Sequence, residues 1–166
     1  MQWRLAILLP AIMTVQACER QRPVVSEELV RELKDELPGI TEQCLNRLRY
    51  GGIDAMPTRA DQCFEMGPKK LWKGLWRNDF EGSRFCASPA ESCSSDTSGE
   101  RIWLSDPDNI LRVKTGDEAL YRIEFWGRRT LKAGAHGHLG GSDHDLIVDE
   151  VISLARMVPE SPGDDS

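Results

Sequence analysis

Two strand patterns that flank a glycine-rich loop constrain the fold of this chain most strongly. Apolar and charged side chains alternate in residues 120–126, and residues 146–154 are rich in β-branched side chains. Both patterns are typical of β-strands. The loop between them holds all three histidines of the chain, His136, His138 and His144. Two strands around a polar loop predict a small β-domain.

The segment before this domain favours short helices. Ser26 and Thr41 can each cap a helix, and Pro38-Gly39 and Gly51-Gly52 follow these helices as stop signals. A further helical turn is expected within residues 58–65. We therefore assign residues 26–66 to a helical segment.

The remainder predicts an antiparallel β-domain over residues 67–158. Short strand patterns recur in this region at residues 70–76, 80–85, 102–104 and 110–113. Such spacing indicates a small antiparallel β-barrel or a bent sheet. The fold class is therefore α+β, with short N-terminal helices packed on the barrel or sheet. Residues 159–166 are acidic and contain proline and glycine, which predicts a disordered tail.

The N-terminus has the layout of an exported protein. A short basic segment, residues 1–4, precedes an apolar stretch over residues 5–15 that is too short to span a bilayer. Residues 1–17 are therefore interpreted as a signal peptide, and residues 18–25 as a polar tether. Val15-Gln16-Ala17-Cys18 resembles the lipobox of bacterial lipoproteins. This resemblance implies acylation of Cys18 and a membrane anchor. Ordinary secretion, with Cys18 as a plain residue, is the alternative.

A second resemblance extends over residues 63–154. The motifs that carry it are Gly74-Leu75-Trp76, residues 80–86, residues 121–125, Gly127-Arg128-Arg129-Thr130 and Gly137-His138-Leu139-Gly140. Together they resemble exported bacterial lipoproteins of uncharacterised activity. The resemblance implies a class of protein and no mechanism.

Four cysteines remain after Cys18. An even number in an exported chain predicts disulfides. Three connectivities are possible, and the local one is favoured because the residues between the last two cysteines form a surface loop. The favoured pairs are Cys44 with Cys63, and Cys86 with Cys93.

The histidine loop is the one constellation that could hold a metal. His136 and His138 would point to one side of an extended segment, and His144, Asp143 or Asp145 could add a third ligand. This arrangement would suit a metal-dependent hydrolase. A glycine-rich loop is more often a turn whose histidines face solvent or one strand end. We therefore expect no metal and no cofactor.

For the other candidate binding residues, a structural role is the alternative to ligand binding. Arg128 and Arg129 could hold a carboxylate or phosphate, but pairing with Asp149 and Glu150 on the neighbouring strand is favoured. The tryptophans could form a sugar- or peptide-stacking platform, although core packing is the more common role. These are Trp72, Trp76, Trp103 and Trp126. A possible acid/base set, which the sequence alone does not bring together, is Glu81, Arg84 and Glu124.

The charge composition limits the class of partner that the protein can be expected to bind. The net charge is −6 and the basic residues are scattered, so a nucleic-acid partner is not expected. The sequence favours a non-enzymatic envelope lipoprotein that faces the periplasm and has a binding or structural role. Its expected partners are the membrane, through the lipid anchor, and an envelope protein or polysaccharide. The alternative is the metal-dependent hydrolase.

Overall fold

The structure is a computed structural model that describes residues 22–157. The predicted signal peptide, the predicted acylation site Cys18 and the acidic tail over residues 159–166 lie outside the described residues. Within those residues, no helix has both the length and the apolar character needed to cross a bilayer.

The predicted helical segment forms two longer helices and one short helix. Helix α1 spans Glu27–Glu36, α2 spans Glu42–Gly51 and α3 spans Ala60–Cys63. The Ser26 side chain accepts a hydrogen bond from the Leu29 amide, and the Thr41 side chain accepts one from the Cys44 amide, each at 3.2 Å. Both predicted N-caps are therefore confirmed. Each satisfies an amide that has no partner inside its helix.

The helices enclose a small hydrophobic core of their own. Cys44 and Cys63 form a disulfide that ties α2 to α3. The buried members of this core are Val30, Ile40, Cys44, Leu45, Leu48 and Cys63. The amides of Val24 and Val25 both donate to the Arg49 carbonyl. The end of the predicted tether is therefore bound to the helical segment.

Five strands close into a β-barrel, which confirms the α+β class with helices on a small barrel. Going around the barrel, the strand order is β1-β2-β3-β5-β4. The strands span Lys70–Asp79 (β1), Gly82–Ala87 (β2), Ile102–Ser105 (β3), Ala119–Arg129 (β4) and His144–Met157 (β5). Alternate side chains fill the interior, because neighbouring residues of a strand point to opposite faces. Its fully buried members include Phe85, Ile123, Phe125, Leu146 and Val148.

The barrel is mixed, and the expectation of a purely antiparallel one was wrong at one contact. Strands β3 and β5 pair in parallel, whereas the other four neighbouring pairs are antiparallel. The parallel contact closes the barrel between two strands that are separated in the chain by β4. Sequence patterns locate strands but do not give the direction in which two distant strands pair.

The strand predicted at residues 110–113 is absent, and this part of the chain is a loop. The Asp106 carboxylate accepts hydrogen bonds from the amides of Ile110 at 2.7 Å and Leu111 at 2.8 Å. Asn109 and Arg112 have positive φ angles, which interrupt an extended backbone. Leu111 is nevertheless buried in the barrel core. Its apolar character reflects burial rather than strand pairing.

The second predicted disulfide joins Cys86 to Cys93. It links the end of β2 to the loop that follows, as the local pairing required. Two disulfides mark an oxidising, extracytoplasmic environment.

Candidate ligand-binding cleft

An open cleft lies where the outer surface of β3 meets the segment that leads into α3. It consists of two adjoining cavities of about 270 and 440 Å³. We call it the β3 cleft and define it by the residues that line both cavities: Thr58, Arg59, Ala60, Ser83, Trp103, Ser105 and Thr115. The histidine loop and the β1–β2 turn complete the larger cavity, which Asp145 also lines.

Trp103 and Asp145 reach this cleft because of their strand positions. Their neighbours Ile102 and Leu104 on β3, and Leu146 on β5, point into the barrel core. Trp103 and Asp145 therefore point outward, since side chains alternate along a strand. The two residues are register partners in the parallel β3–β5 pair, so their side chains lie side by side on one surface.

Asp145 is the least satisfied charged group of the cleft. Its side chain is only 8% exposed, and its Oδ2 atom accepts a hydrogen bond from the Ser105 hydroxyl at 3.0 Å. Its Oδ1 atom is shielded from water and has no hydrogen-bond partner within residues 22–157. Burial raises the pKa of the Asp145 carboxyl to about 6; the Ser105 hydrogen bond opposes this shift and the charge of Asp61 adds to it.

The basic residue of the cleft does not compensate Asp145, because it is already engaged. Arg59 donates to both oxygens of Asp61 at 3.1 Å and to Asp108 at 2.6 Å. These hydrogen bonds lower the pKa of Asp61 and keep it ionised. The Arg59 guanidinium therefore neutralises Asp61 and Asp108 and not Asp145.

The histidines do not form the solvent-facing turn that the glycine-rich loop favours. His136 is 5% exposed and its ring meets the edge of Phe64, with the ring centroids 4.7 Å apart. His144 is 4% exposed, and its Nδ1 atom lies 3.1 Å from the Thr130 hydroxyl and 3.0 Å from the Thr130 carbonyl oxygen. Solvent exposure was therefore wrong for His136, whereas His144, the first residue of β5, faces the end of β4, which is the other expected placement. The reason is that the segment folds back over α3 and the end of β4.

His138 alone behaves as an exposed loop residue. It lies at the mouth of the cleft, with its Nε2 atom 3.5 Å from a Glu81 carboxylate oxygen. Across residues 22–157, no three His, Cys, Asp or Glu side chains are placed so that they could share a metal ion. Asp143, another candidate ligand, pairs with Arg101 at 2.6 Å.

Both arginines of the predicted basic pair, Arg128 and Arg129, form ion pairs with carboxylates of the protein. Arg128 donates to both oxygens of Asp149, at distances between 2.8 and 3.1 Å, and also contacts Asp61 at 3.3 Å. The favoured pairing of Arg128 with Asp149 is therefore confirmed. Arg129 pairs instead with Glu100, and Glu150 with Lys69. Neither guanidinium lines the cleft.

The four tryptophans do not form one platform. Trp72 and Trp76 are buried in the barrel core. Trp126 is 38% exposed on the outer surface of β4, outside the cleft. Trp103 alone lines both cavities.

The proposed acid/base set does not assemble either. Glu124 pairs with Lys73 at 2.8 Å on the outer surface of the β1–β4 pair. Arg84 donates to the Thr97 carbonyl, and Glu81 lies at the cleft mouth beside His138. The three side chains thus have separate partners.

Sequence reasoning missed the combination of Trp103 with Asp145 and Ser105. Trp103 lies in a predicted strand, but Ser105 and Asp145 lie one residue outside the strand patterns of residues 102–104 and 146–154, and 42 positions separate Trp103 from Asp145 along the chain. Only the parallel register brings them together. The available signal was a polar residue at an outward position of each strand. No protein-family model, curated protein or solved structure matches this chain.

Proposed function

We propose that this protein is a lipid-anchored component of the bacterial cell envelope that binds a ligand in the β3 cleft without transforming it. The observation that carries the binding role is the buried, incompletely paired carboxylate of Asp145 beside the indole of Trp103. Aromatic faces and convergent polar groups in a concave site are typical of ligand-binding clefts.

The envelope location is supported by the N-terminal sequence and by the cysteines. The signal-peptide layout and the lipobox pattern at Val15-Gln16-Ala17-Cys18 support export followed by acylation of Cys18. The two disulfides fit the oxidising side of the membrane. The short tether would hold the barrel close to the membrane surface, facing the periplasm.

The position of the cleft supports binding over a purely structural role. Barrels of this connectivity commonly bind oligomeric ligands on the β2–β3 face, between the β1–β2 and β4–β5 loops. The β3 cleft occupies the same place, with Glu81 on one loop and His138 on the other. This argument is an analogy of fold and supports the location of a site, not the identity of its ligand.

The metal-dependent hydrolase receives no support from the geometry. His136 and His144 are engaged with Phe64 and Thr130 inside the protein, while His138 lies at the surface beside Glu81. We therefore propose a polymer of the envelope, polysaccharide or protein, as the partner of a binding module.

The anchor is tested by membrane fractionation of cells that express the Cys18→Ser variant. Loss of the acyl chains should release the protein from membranes, since acyl chains supply about 0.8 kcal/mol per buried methylene. Labelling with an alkyne fatty acid should mark the unaltered chain but not the variant. A variant that remains in carbonate-washed membranes and is still labelled would contradict the anchor.

The cleft is tested by calorimetric titration of the full chain in detergent micelles with muropeptides and with lipopolysaccharide core oligosaccharides. At least one fragment class should bind, and Trp103→Ala should weaken that binding at least about tenfold. Trp126→Ala is the matched control, because it removes the same side chain outside the cleft. Absence of binding by both fragment classes, or equal losses in the two variants, would overturn the proposed site.

A further inference from the structure

We propose that the β3 cleft recognises an organic cation, an ammonium or guanidinium group that pairs with Asp145 and lies against the face of Trp103. This inference rests on the proposed function and assigns a ligand chemistry to its site. Three observations carry it: the charge balance of the larger cavity, the state of the Asp145 carboxylate, and the position of the indole.

The charge balance leaves one buried carboxylate without a counter-ion. The other acidic groups that line the larger cavity are Asp79 and Glu81. Asp79 pairs with Arg77 at 2.6 Å, and the Glu81 side chain is 57% exposed, so water solvates its charge. Arg59 is engaged by Asp61 and Asp108. Asp145 makes no salt bridge among the residues described.

The buried histidine that lines the cleft does not supply the missing charge. Burial lowers the pKa of His136, so its imidazole is neutral at physiological pH. Asp61, on α3, has its own charge neutralised by Arg59 and Arg128. A cation that enters the cleft would therefore meet a carboxylate whose charge no group within residues 22–157 balances.

The Asp145 carboxylate is also oriented in a way that favours a charged hydrogen-bond donor as its ligand. Ser105 holds Oδ2, which fixes the orientation of the Asp145 side chain and leaves Oδ1 unpaired. A buried ionised oxygen without a partner is costly, and a charged donor lowers that cost most. An ammonium or guanidinium ion in the larger cavity, which Asp145 lines, supplies the opposite charge and a donor for the part of the carboxylate that reaches the cavity.

The indole of Trp103 provides the second contact. Gly137 lies against this ring, and a Cβ atom at that position would be 2.6 Å from the indole Cε3 atom. The glycine therefore lets the histidine loop cover one part of the indole, while the ring still lines both cavities. Cations are attracted to the faces of tryptophan rings, so Trp103 and Asp145 favour the same kind of group.

A neutral sugar is the alternative ligand, because it could also stack on Trp103 and donate a hydroxyl to Asp145. It would leave the carboxylate charge unbalanced inside the cleft. The cation is favoured because it removes this charge as well as the missing hydrogen bond.

Pairs of ligands that differ only in charge test the proposal. Nα-acetyl-arginine methylamide is compared with its citrulline analogue, and Nα-acetyl-lysine methylamide with its Nε-acetylated form, by calorimetry on the full chain in micelles. At least one cation should bind at least about tenfold more tightly than its neutral partner. Comparison of the arginine pair with the lysine pair also shows whether the cleft prefers a guanidinium or an ammonium group.

Variants of the protein assign the effect to Asp145. Asp145→Asn keeps the shape of the side chain and should abolish the preference for the cation, whereas Asp96→Asn in an exposed loop should preserve it. Ser105→Ala removes the hydrogen bond that orients the carboxylate but keeps its charge, so this variant should weaken the preference without abolishing it. The pH dependence of binding by the unaltered protein covers the case that Asp145→Asn folds poorly. Affinity should also fall about tenfold per pH unit below the pKa of Asp145, because a protonated carboxyl loses its attraction for the cation.

The outcomes separate this inference from the proposed function. Equal binding of the charged and neutral ligands, or a cation preference that survives Asp145→Asn, would overturn the cation proposal alone if envelope fragments still bind through Trp103. If neither fragments nor cations bind, both proposals fail. Cation binding without fragment binding would leave this inference standing and contradict the envelope polymer as partner.

Discussion

Trp103 and Asp145 are register partners across the parallel β3–β5 contact, and both side chains leave the barrel on its outer surface. This relationship creates the candidate site, because it puts an indole beside a carboxylate that is 8% exposed. The segment leading into α3 then covers the pair from one side. The helices are thus part of the site and not only a cap on the barrel.

The burial of Asp145 predicts a specific pH dependence of stability. Its pKa of about 6 in the folded chain lies above the ordinary value of 3.8. Between these values the unfolded chain has lost a proton that the folded chain retains. Raising the pH through this window therefore lowers the free energy of unfolding, by up to about 3 kcal/mol for this group.

Asp145→Asn removes that titration. The stability of the variant relative to the unaltered protein should rise between about pH 4 and pH 7 and change little above pH 7. Urea unfolding at several pH values measures the difference, with Asp96→Asn as an exposed control. A relative stability that is the same at pH 4 and pH 7 would show that Asp145 titrates normally.

The buried histidines should differ from the exposed one in their effect on stability. His144→Ala removes the contacts of the imidazole with the Thr130 hydroxyl and carbonyl and opens a cavity, which should cost about 2 kcal/mol. His138→Ala should stay within about 0.5 kcal/mol, because its side chain is at the surface. Equal effects of the two substitutions in urea unfolding would argue against the burial of His144.

The two disulfides should contribute unequally. The Cys44–Cys63 bridge separates its cysteines by 19 positions, and the Cys86–Cys93 bridge by 7. Chain entropy then gives about 3 kcal/mol for the first bridge and about 2 kcal/mol for the second. Cys86→Ser and Cys93→Ser should each cost as much as the double variant, because partners in one bridge are not additive. Peptide mapping that links Cys86 to Cys44 or Cys63 would contradict the local pairing.

Arg128 should be more important for stability than its neighbour. It donates three hydrogen bonds to the two carboxylate oxygens of Asp149 and reaches Asp61 on α3, whereas Arg129 pairs with the exposed Glu100. Arg128→Met should cost about 1–3 kcal/mol and Arg129→Met about 0–1 kcal/mol. Arg128→Lys should be nearly as unstable as Arg128→Met, since lysine lacks the planar fork. Thermal unfolding measures both; equal losses would mean that the contact with α3 adds nothing.

The predictable part of the fold came from local patterns. Ser26 and Thr41 cap their helices as the sequence indicated, because a cap depends on residues within one turn. The alternation in residues 120–126 falls within β4, where Tyr121, Ile123 and Phe125 are buried. Cys86 and Cys93 were paired correctly because they are close in the chain.

The structural features that the sequence did not predict depend on contacts between distant segments. The parallel pairing of β3 with β5 has no local signature, so the adjacency of Trp103 and Asp145 was out of reach. The glycines around His136 suggested an exposed turn, yet Phe64 from the helical segment covers the imidazole. Leu111 was predicted to lie in a strand, because buried positions in loops and in strands are both occupied by apolar residues.

The indole N–H signals of Trp103 and Trp126 test the central claim most directly, because one lies in the cleft and the other outside it within the same chain. Proton–nitrogen NMR spectra of the labelled full chain in micelles would be recorded during titration with muropeptides and lipopolysaccharide core oligosaccharides. Trp103→Phe and Trp126→Phe assign the two signals. We expect the Trp103 signal to shift saturably with at least one fragment class while the Trp126 signal stays in place. An unmoved Trp103 signal with both classes, or an equal shift of both signals, would contradict the β3 cleft as the ligand site.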